Sequence, residues 1–262
     1  MKINIAGGSG VMGRVHKPIF EKYGHEVLIS GRNSIPSLEE AAAQSDLTIV
    51  SVPISATEET IKRVAPYCSA IMDLTGIKVR PMYWMMKYSR SNAEVGGLHP
   101  LYGNVSSING KTVIYCPTSR SGEKCREVLR CFRMEGAKIK EMQPETHDLR
   151  VTGLAQNART FLFQAYANLL HDNGVDIKEL YEISPPPTRI LLDLIARQYS
   201  PANDQLYKDM EADLELSPSI RKQLSDFLDN TRTASSNEAI RQMFGAELGP
   251  AQERAKKLIE GK

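Results

Sequence analysis

Three glycines near the start of the chain limit its fold more than any other feature. Gly8, Gly10 and Gly13 have the spacing G-x-G-x-x-G, directly after the strand-like run Lys2–Ala6 and directly before a helical pattern over Val11–Tyr23. In this context the glycines permit a tight turn, a close approach of the backbone to a pyrophosphate, and close packing of helix on strand. The alternative is a glycine-rich turn without a ligand. The pattern predicts a dinucleotide site formed by Gly8, Ser9, Gly10, Val11, Met12 and Gly13.

Short apolar stretches alternate with helical patterns over the first half of the chain. The predicted strands are Lys2–Ala6, His25–Ser30, Leu47–Pro53, Ala70–Leu74, Glu94–Leu98, Lys111–Cys116 and Lys138–Met142. Such alternation is typical of an α/β fold with a doubly wound parallel sheet of the Rossmann type. After Pro144 only helical spacing follows, at Leu149–Asn173, Thr188–Tyr199, Ser217–Asn230 and Ser236–Ile259. We therefore predict a dinucleotide-binding domain over 1–143 and an all-helical domain over 144–262.

The composition is that of a soluble globular protein. Of 262 residues, 41% are hydrophobic and 24% charged, and a formal net charge of +2 gives no reason to expect nucleic acid or a membrane as partner. The cysteines and histidines lack the spacing of metal ligands, so we expect no metal and reduced thiols. With neither a bilayer-spanning stretch nor a signal-peptide pattern, the expected location is cytoplasmic.

The end of the second predicted strand bears on the choice of cofactor. Enzymes that use NAD usually carry Asp or Glu there, which binds the ribose 2′-hydroxyl. This chain has Ser30, Gly31, Arg32 and Asn33, with no carboxylate before Glu39. Because a guanidinium suits a 2′-phosphate, Arg32 predicts NADP in preference to NAD, unless it is an ordinary solvated loop residue.

Three further loops follow strands three to five and should meet at the ligand edge of the sheet. They are Val52–Ser55, Asp73–Lys78 and His99–Gly103. Val52 and Pro53 are expected to contact the cofactor. Together the loops bring an imidazole, that of His99, and an ammonium, that of Lys78, near the reactive carbon. Imidazole is the side chain best suited to moving a proton at neutral pH.

The segments IAGGSGVMG, SDLTIVSVPIS, DLTGIK, GLHPLYG and ETHD occur in this order, and SPPPTRILLDLIAR follows them. In order and spacing they resemble the prephenate dehydrogenases and their arogenate-using relatives. The resemblance implies oxidative decarboxylation of prephenate, a step of tyrosine biosynthesis, by a homodimer whose helical domains form the interface.

The resemblance also assigns roles to individual residues. His99 matches the catalytic histidine, which would accept the proton of the ring hydroxyl. Lys78 would support His99 or bind a substrate carboxylate, and is otherwise a surface lysine. Arg197 matches the arginine that binds a substrate carboxylate, and His147 a histidine with a supporting role at the substrate.

Some positions depart from the family pattern. Gly76 stands where the family usually has serine, so that hydroxyl is either missing or supplied by Thr75; Ser55 is a further candidate for contact with substrate. The stretch from Lys78 to His99 is longer than expected. Nothing in the sequence chooses between prephenate and arogenate.

Two other readings remain open. The chain could be a different NADP oxidoreductase, such as a deazaflavin-dependent NADP reductase, or a dinucleotide-sensing binding protein without turnover. In the main reading we expect no chorismate mutase domain before the sheet and no regulatory domain after the helices.

Overall fold

The computed structural model describes residues 1–199, 216–230 and 244–260. Seven strands form one sheet: β1 (Lys2–Ala6), β2 (Glu26–Ser30), β3 (Leu47–Val50), β4 (Ala70–Asp73), β5 (Glu94–Pro100), β6 (Thr112–Pro117) and β7 (Lys138–Glu141). The order across the sheet is β2-β1-β3-β4-β5-β6-β7. This confirms the predicted Rossmann-type α/β fold, and each predicted strand is present with small differences at its ends.

One strand pairing differs from the prediction of a fully parallel sheet. Strands β1 to β5 are parallel to their neighbours, but β6 runs antiparallel to β5, and β7 is parallel to β6. The reason lies in the connection over 101–111, which contains no helix. A parallel pair needs a crossover connection, usually a helix, whereas an antiparallel pair does not.

Helices cover both faces of the sheet. They are α1 (Val11–Lys22), α2 (Leu38–Ala43), α3 (Ile54–Val64), α4 (Val79–Tyr88) and α5 (Glu123–Met134), and a short α6 (Pro144–His147) follows β7. Helix α1 continues through Pro18. Because side chains alternate along a strand, the sheet supports a core on each face. One core includes Ile5, Phe20 and Phe132, and the other includes Val50, Ile61 and Met85.

A buried histidine lies in the first of these cores. The ring of His16 in α1 packs 5.1 Å from that of Phe132, centroid to centroid, and its Nε2 lies 3.0 Å from the hydroxyl of Tyr102. Burial lowers the pKa of His16 to about 4, so the ring is neutral at physiological pH. This contact fastens the segment after β5 to the helix that follows the glycine turn.

The chain divides into two compact units, the first of which comprises the sheet, its helices and the chain as far as Gly153. The domain boundary at residue 143 stays a prediction. A wide-turned π-helical stretch, Asp148–Ala158, leads into α7 (Arg159–Asp172).

The second unit is helical in every part that the structure describes. It contains α7, α8 (Ile177–Ile183), α9 (Pro186–Gln198), α10 (Leu216–Asn230) and α11 (Leu248–Glu260). Helix α8 was missed from the sequence, although Asp176 caps it by accepting hydrogen bonds from the backbone of Lys178 and Glu179. Of the predicted helix Ser236–Ile259, residues 236–243 lie outside the described residues. None of the helices described is long and apolar enough to cross a membrane.

Candidate active site

The parallel strands bring three loops to one edge of the sheet. Ala6 pairs with Val50, Val50 with Asp73, and Asp73 with Gly97, so β1, β3, β4 and β5 point the same way in matched register. The segments that follow these positions lie at the carboxyl edge of the sheet, where open α/β sheets bind ligands. Three segments follow there directly: the glycine turn, Val52–Pro53 and the residues after Asp73.

The glycine turn lets backbone segments and a ligand approach one another closely, because its key positions carry no side chain. Gly7 has a φ of 85°, a conformation that glycine adopts without strain. A Cβ on Gly13 would collide with the backbone of Gly8, so both positions need glycine for α1 to pack on β1. Helix α1 begins after Gly10 with no side chain capping it, which leaves its first N–H groups available to an anion. Ser9, Val11 and Met12 belong to this turn.

The end of β2 carries a cation and no carboxylate. Ser30 is buried and donates to Asn4 Oδ1 at 2.8 Å, whereas Arg32 is exposed two positions on. Within the described residues, Arg32 forms no hydrogen bond or ion pair that would restrain it. Val52 is half-buried and Pro53 exposed, directly after β3.

His99 lies within β5, opposite Ile114 of β6, and not in a loop after the strand as the sequence predicted. Its Nδ1 is 2.8 Å from His147 Nε2, and His147 Nδ1 is 2.8 Å from Asp148 Oδ1. Asp148 in turn accepts hydrogen bonds from the backbone N–H of Lys78 (2.7 Å) and Val79 (2.9 Å), at the start of α4. His99, His147 and Asp148 thus form a buried chain of three side chains.

This chain sets which nitrogen of His99 can act as a base. The Asp148 carboxylate only accepts hydrogen bonds, so the proton between it and His147 is on Nδ1 of His147. In a neutral His147, Nε2 is then an acceptor, and His99 must donate from its own Nδ1. His99 Nε2 is therefore left unprotonated.

Burial holds the pKa of His99 well below its ordinary value, and the neighbouring His147 and Lys78 lower it further. Taking the ring out of water disfavours its charged form. His99 is consequently a neutral imidazole, the form that can accept a proton.

The free edge of His99 faces Gly76. A Cβ added at Gly76 would lie 3.8 Å from His99 Nε2, an ordinary contact distance. The Gly76 carbonyl accepts a hydrogen bond from Thr152 Oγ1 at 2.6 Å, which fixes this turn. Position 76 therefore places no side chain against Nε2, although the His99 ring as a whole is buried.

Lys78 is fully buried, which excludes the surface lysine considered from the sequence. Its Nζ donates to the Asp73 carboxylate and to the Leu98 carbonyl at 2.7 Å. Thr75 is buried beside it, with its hydroxyl bonded to the Asp73 carboxylate and within 2.8 Å of the Ile77 carbonyl. Protein groups thus engage that hydroxyl, and a contact of Thr75 with substrate in place of the family's serine stays a prediction.

The remaining expected substrate residues lie in different settings. Ser55 is exposed in the first turn of α3, after the Val52–Pro53 segment. His147 is fully buried with both ring nitrogens engaged by protein groups, an arrangement that orients His99. Arg197 is exposed in the last turn of α9, in the second unit, and its contact with a substrate carboxylate stays a prediction.

Two functional residues were not identified from the sequence. Asp73 and Asp148 open and close the quoted segments DLTGIK and ETHD, yet neither was given a role. The sequence offered one indication of a role: Asp73 shares its segment with Lys78, and Asp148 directly follows His147.

Folding also brings together three potential metal ligands that are distant in sequence. His25 Nε2 is 3.1 Å from Glu127 Oε1 and 3.3 Å from Cys131 Sγ, a grouping that the spacing in the sequence does not show. Arg130, however, binds both carboxylate oxygens of Glu127, at 2.6 and 2.7 Å. These groups satisfy one another, and we assign no metal to them.

Comparison with known proteins points to one family. A sequence model of the prephenate dehydrogenase nucleotide-binding domain matches residues 16–141. A probable arogenate/prephenate dehydrogenase of Methanocaldococcus jannaschii is 28% identical over 255 residues, covering 90% of this chain and 56% of that protein. A T-protein of Haemophilus influenzae is 31% identical over 242 residues, covering 90% and 62%. The chain thus spans about six-tenths of the length of these relatives.

The fold is similar to that of a solved structure from the same family. A prephenate dehydrogenase from A. aeolicus, in complex with hydroxyphenyl propionate and NAD+, has a TM-score of 0.67 and 19% sequence identity. The likeness covers 100% of this chain and 98% of that one.

The hydrogen-bonded chain makes a prediction about the ring of His99. Long-range ¹H–¹⁵N NMR spectra should show the proton on Nδ1 and none on Nε2, and the ring should stay neutral at about pH 6. The Asp148→Asn variant should lose this single tautomer, because an amide can donate as well as accept. His171, whose ring is exposed, gives the reference signal, and a His99→Asn variant assigns the spectrum. A proton on Nε2 in the wild-type protein would contradict the arrangement.

Proposed function

The chain belongs to the prephenate dehydrogenase family, and from this premise we propose that it oxidatively decarboxylates prephenate to 4-hydroxyphenylpyruvate with NADP+. The observation that carries the proposal is the orientation of His99. Its Nε2 is held unprotonated by His147 and Asp148 and faces Gly76, which has no side chain, at the edge of the sheet where the glycine turn lies.

The residues of the first unit suffice for the proton transfer. Prephenate carries a ring hydroxyl at C4 and a ring carboxylate at C1. His99 Nε2 takes the hydroxyl proton while C4 gives up a hydride, and a nicotinamide held at the glycine turn would supply the acceptor for that hydride. Loss of CO2 from C1 then leaves an aromatic ring, and the imidazolium can return its proton to the phenolate. Aromatisation drives the reaction forward. The protein therefore has only to orient the substrate and the cofactor, bind the substrate carboxylates and hold one proton.

The hydrogen-bonded chain also supports the charge that forms on His99. When Nε2 is protonated, Nδ1 still donates to His147, and the Asp148 carboxylate stabilises the positive charge through that ring. His147 is therefore proposed as an orienting residue. Arg197 and Ser55 are proposed as contacts for the substrate. Arogenate, which has an amino group in place of the side-chain keto group, remains the alternative substrate.

The first test is NADP+ reduction with prephenate and, separately, with arogenate. His99→Asn should lower kcat by roughly 10²- to 10⁴-fold, because the base acts in the transition state, with little change in cofactor affinity. His171→Asn, at an exposed ring, is the matched control and should leave kcat unchanged. The acid that is turned over more efficiently identifies the substrate.

Two results would contradict the proposed reaction. If neither acid is turned over while the nucleotide still binds, a deazaflavin-dependent reductase or a dinucleotide-sensing protein becomes the better reading. If His99→Asn retains full activity, the base has been misassigned.

Cofactor preference depends on Arg32 in this proposal. Its exposed guanidinium follows β2 where a carboxylate would favour NAD, so Arg32→Ala should raise KM for NADP+ by about 10-fold or more and leave KM for NAD+ nearly unchanged. The control is Arg133→Ala, at an exposed arginine in the last turn of α5. Equal changes in both KM values, or a wild-type preference for NAD+, would refute NADP+ as the cofactor.

We also propose that the protein is a homodimer formed through its helical part. Exposed apolar side chains are numerous on the helices of the second unit: Leu162, Leu169, Ile177, Ile183, Leu194 and Leu258. A second copy packed against these helices would remove such side chains from water. Sedimentation equilibrium should give the mass of two chains; a single-chain mass at micromolar concentration would contradict a stable dimer.

A further inference from the structure

A lysine is buried completely between the ends of β4 and β5. Lys78 exposes none of its side chain, and its three ammonium protons face three oxygens: the Asp73 carboxylate, the Leu98 carbonyl at 2.7 Å and Thr75 Oγ1 at 3.3 Å. A charge so far from water is stable only when it is paired and hydrogen-bonded. Asp73 is the anion that fills this need.

The sheet is shaped to admit this side chain. Gly97 lies opposite Asp73 in the β4–β5 register. A Cβ at Gly97 would lie 3.0 Å from Lys78 Cδ and 2.9 Å from Met82 Sδ, closer than side chains pack without moving. Glycine at position 97 therefore leaves room for the Lys78 side chain to pass and reach Asp73.

The Leu98 carbonyl is the link to the reactive histidine. It belongs to the peptide bond that joins Leu98 to His99, so an ammonium bound to it fixes the backbone directly before the imidazole. Asp73 Oδ2 holds the other side of the ammonium and also accepts the backbone N–H of Thr75 at 3.0 Å. Lys78 makes no hydrogen bond to His99 among the described residues, so its influence passes through this peptide and through charge.

We propose that Asp73 is a positioning residue for the reaction: its carboxylate holds the Lys78 ammonium on the Leu98 carbonyl and thereby fixes the segment that carries His99. This role rests on the proposed dehydrogenase function. Asp73 touches neither reacting atom, and it acts through Lys78.

Within the described residues, His147 and Lys78 are the charged or titratable groups that act on His99. Asp148 pairs with His147 and Asp73 with Lys78. Cys116 on β6 is near Lys78, Asp73, Asp148 and Glu145, and burial raises its pKa to about 12, so that it stays a neutral thiol. The Lys78 ammonium lowers the pKa of His99, and Asp73 supplies the opposite charge beside that ammonium. Asp73 thus influences both the geometry and the protonation of the base.

A double-mutant cycle tests the proposal through turnover. Asp73→Asn should lower kcat by about 10-fold or more in the wild-type background, with little change in KM for the cofactor. In the Lys78→Met background the same change should alter kcat by less than about 3-fold, because the ammonium that Asp73 holds is absent. An equal loss in both backgrounds, or no loss in either, would overturn the proposal.

A second readout does not depend on turnover. The NMR titration midpoint of His99 should move to higher pH in Lys78→Met, which removes a nearby positive charge, and to lower pH in Asp73→Asn, which leaves that charge without its counter-ion. Unmoved midpoints in both variants would overturn the proposal even if neither acid is a substrate. If Asp73→Asn alone does not fold, the test compares kcat of Lys78→Met with kcat of the double variant. A difference above about 3-fold between these two variants would overturn the proposal.

Discussion

The carboxylate of Asp148 joins parts of the first unit that are far apart in the sequence. It accepts two backbone N–H groups at the start of α4 and the Nδ1 proton of His147, and His147 in turn holds His99 on β5. A carboxylate so placed stabilises a helix N-terminus and also determines the tautomer of two histidines. The orientation of the His99 ring and the position of its proton therefore depend on a residue that acts through His147.

The site carries its charges in compensating pairs. Lys78 is matched by Asp73, and any positive charge that forms on the histidines is matched by Asp148. This balance matters because the site is buried, where an unpaired charge would be costly and would perturb every neighbouring pKa. His99 can then remain neutral in the resting protein and still be stabilised when it takes up a proton.

Much of the fold could be predicted from the sequence, because its signals are local. The glycine spacing and the alternation of apolar strands with helices predicted the seven strands in their order along the chain. The antiparallel direction of β6 was not predicted, because it depends on the connection over 101–111, which contains no helix. Helix α8 was missed although Asp176 is a recognisable cap.

The candidate site was predictable only in part, for a physical reason. A motif shows that His99 and Lys78 stand near the ligand edge, but it does not show what lies between them. The bond from His147 to His99 joins residues 48 positions apart, and the bond from Asp148 to Lys78 joins residues 70 apart. These contacts depend on how β4, β5 and α6 pack. The same holds for His25 and Cys131, which are 106 positions apart.

The two sides of His99 differ in how much variation they can tolerate. On the Nδ1 side every partner is buried and bonded in turn, so a change there alters the tautomer or leaves a buried polar group without a partner. On the Nε2 side the ring faces Gly76, and a Cβ there would make an ordinary contact at 3.8 Å. Position 76 can therefore change the approach to the base without disturbing the core, whereas Thr75, one residue earlier, is committed to Asp73. Access to the base and orientation of the base are thus governed by separate residues.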